Sequence, residues 1–122
     1  MVCTGANDEE IENARQATRQ QIAFYGSTPA YRPVLDVHGW GDLQSELNTM
    51  TKRGLWNEMA GLVSDELLES IAVCAPIGGV ADRVRARVEG VADRVSLVAH
   101  WTRDAELWDD IVRDLTRANQ SR

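Results

Sequence analysis

The sequence predicts an α/β fold, rich in helix and with about three parallel strands, and three observations carry that prediction. Ile71-Ala72-Val73-Cys74 is a continuous apolar run of strand length, Val95-Ser96-Leu97-Val98-Ala99 reads as another buried strand, and Val2-Cys3-Thr4-Gly5 as the end of one. Between them the apolar spacing changes to three and four residues, the period of helices with one buried face. The order strand, several helices, strand, helix, strand, helix then calls for parallel pairing through right-handed crossovers. At 122 residues the chain is one domain at most, able to bury roughly two thirds of its unfolded surface.

Val2-Cys3-Thr4-Gly5 reads as the last residues of a buried strand. Asn7 follows as an N-cap with Glu10 three residues on, a capping-box pattern that satisfies free amides at a helix start. Ile11, Ala14, Thr18, Ile22 and Tyr25 form the buried stripe of this first helix, and Gly26 is its expected stop. Pro29 and Pro33 allow a short helix only where each lies in a first turn. A second helix is expected after Asp42, with Leu43, Leu47 and Met50 inward and Gly54 ending it. A third carries Trp56, Met59, Ala60 and Val63, and Ser64 caps a short helix holding Leu67 and Leu68. After the second strand, Pro76 and Gly78-Gly79 interrupt the chain before a helix with Val80, Val84 and Val88 inside, ended by Gly90. The last helix is expected from about Asp104 to Ala118, with Leu107, Ile111 and Leu115 on one side. One unit over residues 1–118 results, with a helical insertion over about 26–70 and a frayed tail at 119–122.

Three parallel strands leave raw edges that an intact domain covers or closes. A closed barrel solves this by adding strands, so the pattern reads as a piece of something larger. The net charge of −6, with arginines interleaved among acids, excludes the clustered basic face that a nucleic-acid partner needs. Cys3 and Cys74 are too few for a disulfide framework, and neither a Cys-x-x-Cys nor a His-rich pair suggests a metal. They read as two small buried thiols. The longest hydrophobic run, Ile71 to Val80, is far too short for a bilayer, and no signal-like stretch opens the chain. No membrane partner and a cytoplasmic location are expected.

The most specific segment is Ile22-Ala23-Phe24-Tyr25-Gly26-Ser27-Thr28-Pro29-Ala30-Tyr31-Arg32-Pro33-Val34-Leu35-Asp36-Val37-His38-Gly39-Trp40. Gly41-Asp42-Leu43, Leu47-Asn48, Lys52-Arg53-Gly54, Trp56-Asn57-Glu58-Met59, Ser64-Asp65-Glu66-Leu67-Leu68, Ala72-Val73 and Asp93-Arg94-Val95-Ser96 extend it. In this order and spacing they resemble the C-terminal third of the luciferase-like monooxygenase superfamily, nearest its deazaflavin (coenzyme F-420)-dependent oxidoreductases. The resemblance runs from about Val2 to Ala99. It implies the C-terminal portion of an eight-stranded (β/α) TIM-type barrel. This chain would hold the end of the sixth strand, the insertion, and the seventh and eighth strands. Coenzyme F-420 is the implied cofactor, FMN the alternative, and no metal is implied. The residues that hold the ring and do the chemistry lie mostly on earlier strands, so no catalytic or cofactor-binding residue is assigned. One departure stands out. Relatives read Gly-Thr-Pro-Glu-Glu where this chain reads Ala75-Pro76-Ile77-Gly78-Gly79, so the acidic first turn that suits a helix dipole is expected to be missing.

Function in such a barrel sits on the loops after the strands. Tyr25, Ser27, Tyr31, His38 and Trp40 are therefore candidates for the mouth of a small-molecule pocket, where aromatics with polar tips suit an apolar substrate. Packing of the insertion against the rim is the plainer reading of the same residues. His100, at the end of the third strand, joins the candidates as a group able to act as an acid near neutrality, against the plainer reading of a structural histidine. Asp65-Glu66 fall in a capped first turn, where the helix dipole explains them, and Arg83, Arg85 and Arg87 read as a solvated stripe. Gly78-Gly79 lacks the three-glycine spacing of a dinucleotide loop. Two classes of function follow. One is an oxidoreductase performing hydride transfer or monooxygenation, this chain forming the substrate side. The other is a non-catalytic α/β module whose strand edges pair in a homo-oligomer or with a complementing barrel fragment.

Overall fold

Two short strands, β1 (Val2–Cys3) and β2 (Val73–Cys74), pair in parallel, with Val2 opposite Val73 and Cys3 opposite Cys74. The computed structural model describes residues 1–99, 101–102 and 104–120, the last three by backbone alone. Between the strands run α1 (Asp8–Gly26), a 3-10 turn at Pro29–Tyr31, α2 (Arg32–Val37), α3 (Gly41–Lys52), α4 (Trp56–Met59), a 3-10 turn at Ala60–Leu62 and α5 (Asp65–Ile71). A 3-10 turn at Ile77–Gly79, α6 (Val80–Val88) and α7 (Ala105–Gln120) follow β2.

The local signals act as their chemistry requires. Asn7 Oδ1 accepts from the Glu10 amide at 2.9 Å, while Glu10 Oε2 accepts from the Ala6 amide at 2.7 Å. Ser64 Oγ accepts from the Leu67 amide at 3.1 Å and so starts α5. Both Pro29 and Pro33 occupy first-turn positions, where no amide hydrogen is missed. Gly54 turns the chain after α3 at φ 71°, a left-handed conformation that suits glycine.

Strand alternation sends Cys3 and Cys74 to one face and Val2 and Val73 to the other. Ala14, Ile22 and Ala23 of α1, with Leu47, Met59, Leu67 and Leu68, cover the cysteine face. Val80 and Val84 of α6 and Ile111 of α7 cover the valine face. Helices on both faces follow from crossover handedness. The path from β1 through α1 to β2 runs one way across the sheet. The return through α6 runs the other way, because Val98 lands on the far edge of β1, so a right-handed turn places α6 opposite α1. On that far edge the Val2 amide donates to the Val98 carbonyl at 2.8 Å, and Trp101 Nε1 donates to the Val2 carbonyl at 2.8 Å. One indole thus closes the edge that would otherwise expose a carbonyl.

Several expectations are corrected. The described sheet has two strands, not about three: Val95–Ala99 adopts no strand, and Val95 and Val98 are 45% and 42% exposed. The apolar run there touches β1 at Val98 but has no second strand beside it to complete a ladder. The second predicted strand shortens to Val73–Cys74, because Ser64-capped α5 continues through Ile71. Gly26 ends α1 without a left-handed turn; its role is close approach, since a Cβ there would lie 3.2 Å from Leu47 Cδ1. Trp56 is 43% exposed and packs beside Phe24, while Met59, Ala60 and Val63 are buried. The arginine stripe is not simply solvated. Arg87 donates to the carbonyls of Glu69 and Ala72, and Arg85 to Asp82 and the Asp114 carbonyl. The missing acidic turn is also restored: the 3-10 turn delays the start of α6, and Asp82 falls in its first turn.

Candidate functional site

The insertion brings its candidate residues into two aromatic groups. Tyr25 on α1 packs edge-to-face on Tyr31 at 5.4 Å between ring centres, and Phe24 extends the group to Trp56 at 6.0 Å. His38, after α2, stacks on Trp40 at 5.4 Å with an interplanar angle of 29°. Tyr31 is 46% exposed and His38 is exposed, while Tyr25 and Trp40 are half-buried. Ser27 belongs to neither group. It is buried, and its hydroxyl donates to the Phe24 carbonyl at 2.6 Å, so it ties off the end of α1. His100 lies outside the described residues.

Two residues missed in the sequence hold this arrangement together. Gln44 Nε2 and Asn48 Nδ2, one turn apart on α3, both donate to the Ser27 carbonyl, at 3.0 and 3.2 Å. Gln44 is buried despite its amide, and that burial fixes α3 against the end of α1. The signal available in the sequence was their spacing of four beside Leu47. A third, Thr4, stands just past the end of β1 with its buried Oγ1 unpartnered among the described residues.

A charged cluster joins α1 to α5. Arg15 and Arg19, mostly covered, both bond Asp65, and Arg15 also reaches Glu69 at 3.3 Å and Glu12 at 3.9 Å. Asp65 is therefore more than a first-turn acid. Its carboxyl is held below the ordinary carboxylate range, first by the Arg15 hydrogen bond and then by that of Arg19. A depressed carboxylate contributes stability that is present above its unfolded pKa and lost as pH falls through the folded one. We expect Asp65→Asn to flatten the acid limb of the stability–pH curve at low salt; an unchanged limb would show that the pairing contributes nothing. Because the carboxylate is solvated, the effect should fade with added salt.

A cavity of about 760 Å³ lies on the valine side between α6, residues 89–97 and α7. Val84, Val88, Leu97 and Trp108 line it together with Glu89 and Asp93. Its cation, Arg85, is already engaged by Asp82 at 2.6 Å and by the Asp114 carbonyl. None of the insertion's candidate residues lines this groove or the small cavity of about 10 Å³ beside Trp101. Among the described residues no group of three or more His, Cys, Asp or Glu is placed to hold a metal ion, and no helix is long and apolar enough to cross a membrane.

The family model described as luciferase-like monooxygenase matches residues 1–94. The uncharacterized protein Mb1395 of Mycobacterium bovis is 57% identical to this chain over 95 residues, which is 78% of this chain and 28% of that protein. The uncharacterized protein Rv1360 of Mycobacterium tuberculosis matches with the same 57% identity over 95 residues and the same coverage. The chain therefore aligns with about 28% of the length of the curated relatives it matches. No solved structure matches it.

Proposed function

The chain belongs to the luciferase-like monooxygenase family, and from that premise we propose that it forms the substrate-side part of an eight-stranded (β/α) barrel oxidoreductase. The reaction class is hydride transfer or monooxygenation on a small molecule. Coenzyme F-420 is the favoured cofactor and FMN the alternative. The match over residues 1–94 carries this reading, and the parallel β1–β2 ladder with its helical crossover is compatible with a barrel segment.

The described residues do not by themselves make a site for a flavin-type cofactor. Its ring needs an enclosed apolar slot and its anionic tail needs free cations, whereas the groove between α6 and α7 carries Glu89 and Asp93 and an engaged Arg85. The cofactor would supply the redox chemistry when bound elsewhere in a complete barrel. In this reading Tyr25, Tyr31, His38, Trp40 and His100 line the substrate mouth. Ser27 acts through its carbonyl, which Gln44 and Asn48 hold in place.

The second reading, a non-catalytic module, has its own support. Helices cover both faces of the small sheet, although Trp101 on one edge and Arg87 near the other leave less edge for the strand pairing that this reading expected. To separate the two, the chain is mixed with the rest of the Mycobacterium tuberculosis relative. Complex formation is followed by size exclusion, and unfolding by tryptophan fluorescence with and without coenzyme F-420. A one-to-one complex whose midpoint the coenzyme raises, by an amount set by RT ln(1 + [L]/Kd), is the expected result. No complex and no shift would favour the module. A shift in the chain alone would overturn the placement of the cofactor site outside it.

A further inference from the structure

Cys3 and Cys74 share more than burial. They are register partners on adjacent parallel strands, and alternation sends both side chains to the α1 side of the sheet. Neighbouring strands run about 4.8 Å apart, inside the Cα separation of roughly 4.4–6.8 Å that a disulfide spans. Both thiols are free and buried. Burial separates their roles: Cys3 is 0% exposed with its Sγ 3.8 Å from the Ile11 carbonyl, whereas Cys74 is 9% exposed.

We propose that Cys3 and Cys74 are a two-electron redox pair, a dithiol that a hydroperoxide converts to an intramolecular disulfide across the β1–β2 ladder. Cys74, the less completely buried of the two residues, attacks the terminal peroxide oxygen as its thiolate. The O–O bond breaks, an S–O bond forms, and the leaving alkoxide or hydroxide takes up a proton. Cys3 then attacks the Cys74 sulfenic acid. The S–S bond forms, the S–O bond breaks, and the departing hydroxide combines with the Cys3 proton as water. The two thiols lose two electrons and two protons in all, and the peroxide is reduced to an alcohol, or to water, plus one further water.

The surroundings fit this division. The Cys74 thiol is lowered to about 7, first by the hydrogen bond from Cys3, with Arg15 on α1 and Arg87 on α6 adding to it; burial and Glu69 on α5 oppose. Cys3 is pushed up, by that same hydrogen bond and by burial, as suits a thiol that keeps its proton until it attacks. Nothing in this proposal depends on a cofactor or on the oxidoreductase reading.

The test is peroxide treatment of the native reduced chain near neutral pH, followed by alkylation, non-reducing intact mass and peptide mapping. The expected product is a monomer lighter by two hydrogens, with a Cys3–Cys74 linked peptide that dithiothreitol reverses. Cys74→Ser should leave Cys3 unoxidised under the same treatment. Cys3→Ser should stop Cys74 at a dimedone-trappable sulfenic acid. In the unoxidised protein Cys74 should alkylate roughly tenfold faster than Cys3. Two thiols still free after peroxide, a Cys74 sulfinic acid beside an intact Cys3, or a disulfide between chains would each overturn the pairing. The measurement on the unsubstituted chain decides this even if a variant fails to fold.

Discussion

Leu68→Ala is expected to lower stability by roughly 3 kcal/mol, within the range for truncating a fully buried leucine. Leu68 is 0% exposed at the centre of α5 and belongs to the cluster that joins α1, α3 and the cysteine face of the sheet. The loss has two parts, the transfer energy of the removed carbons and the cavity left among neighbours that cannot close in. Its neighbours Leu67 and Met59 are 2% and 0% exposed, so they have little room to relax. A domain of this size has roughly 5–15 kcal/mol in total, so the variant gives up a large share of it. In thermal unfolding followed by tryptophan fluorescence the midpoint should fall by about 10 °C or more. Val37→Ala is the matched control: Val37 is 82% exposed, and its truncation should change stability by less than about 0.5 kcal/mol. Equal effects at the two sites would mean that α5 does not pack as described.

Gly5→Ala should destabilise by roughly 2–3 kcal/mol, as other forced insertions into packed sites do. A Cβ at Gly5 would lie 2.5 Å from Glu10 Cβ, 2.8 Å from the Ile11 nitrogen and 2.9 Å from the Glu10 carbonyl carbon. Two of those atoms are backbone in the first turn of α1, so a rotamer change cannot relieve the contact. The helix must move away from β1, and the Glu10 bond to the Ala6 amide would be lost with it. Loss of unfolded-chain freedom works in the other direction, by about 0.4–1 kcal/mol, and is too small to prevail. Gly78→Ala isolates that opposing effect, because nothing lies within 4 Å of the added carbon there. Urea unfolding should therefore give midpoints that move in opposite directions for the two variants at an unchanged m-value. A neutral Gly5→Ala would show that the strand-to-helix turn is looser than this packing requires.

Much of the local structure was legible in the sequence because it is set by neighbours in the chain. The Asn7 and Ser64 caps, the first-turn prolines and the Ala14–Thr18–Ile22 stripe each depend on groups within about one helical turn. The aromatic candidates were legible as a list but not as an arrangement. Tyr25 meets Tyr31 and His38 meets Trp40, yet Ser27 is turned to the end of α1. Gln44 and Asn48 looked like ordinary polar helix residues, since their shared acceptor lies 17 and 21 positions away.

By itself the sequence determined the α/β class, the family and nearly every helix, since periodicity and capping are properties of a short stretch of chain. Only the tertiary structure decided how many strands form and what covers them. Val95–Ala99 has a strand's composition, but a strand exists only with a ladder partner, and here the segment meets β1 at the Val98 carbonyl while the Trp101 indole takes the next acceptor. The same long-range placement set Arg87 on the carbonyls at the end of α5, Asp65 between two arginines and Cys3 opposite Cys74. Each of those pairings joins residues well separated in the chain, and no local period or cap encodes which distant partner an atom will meet.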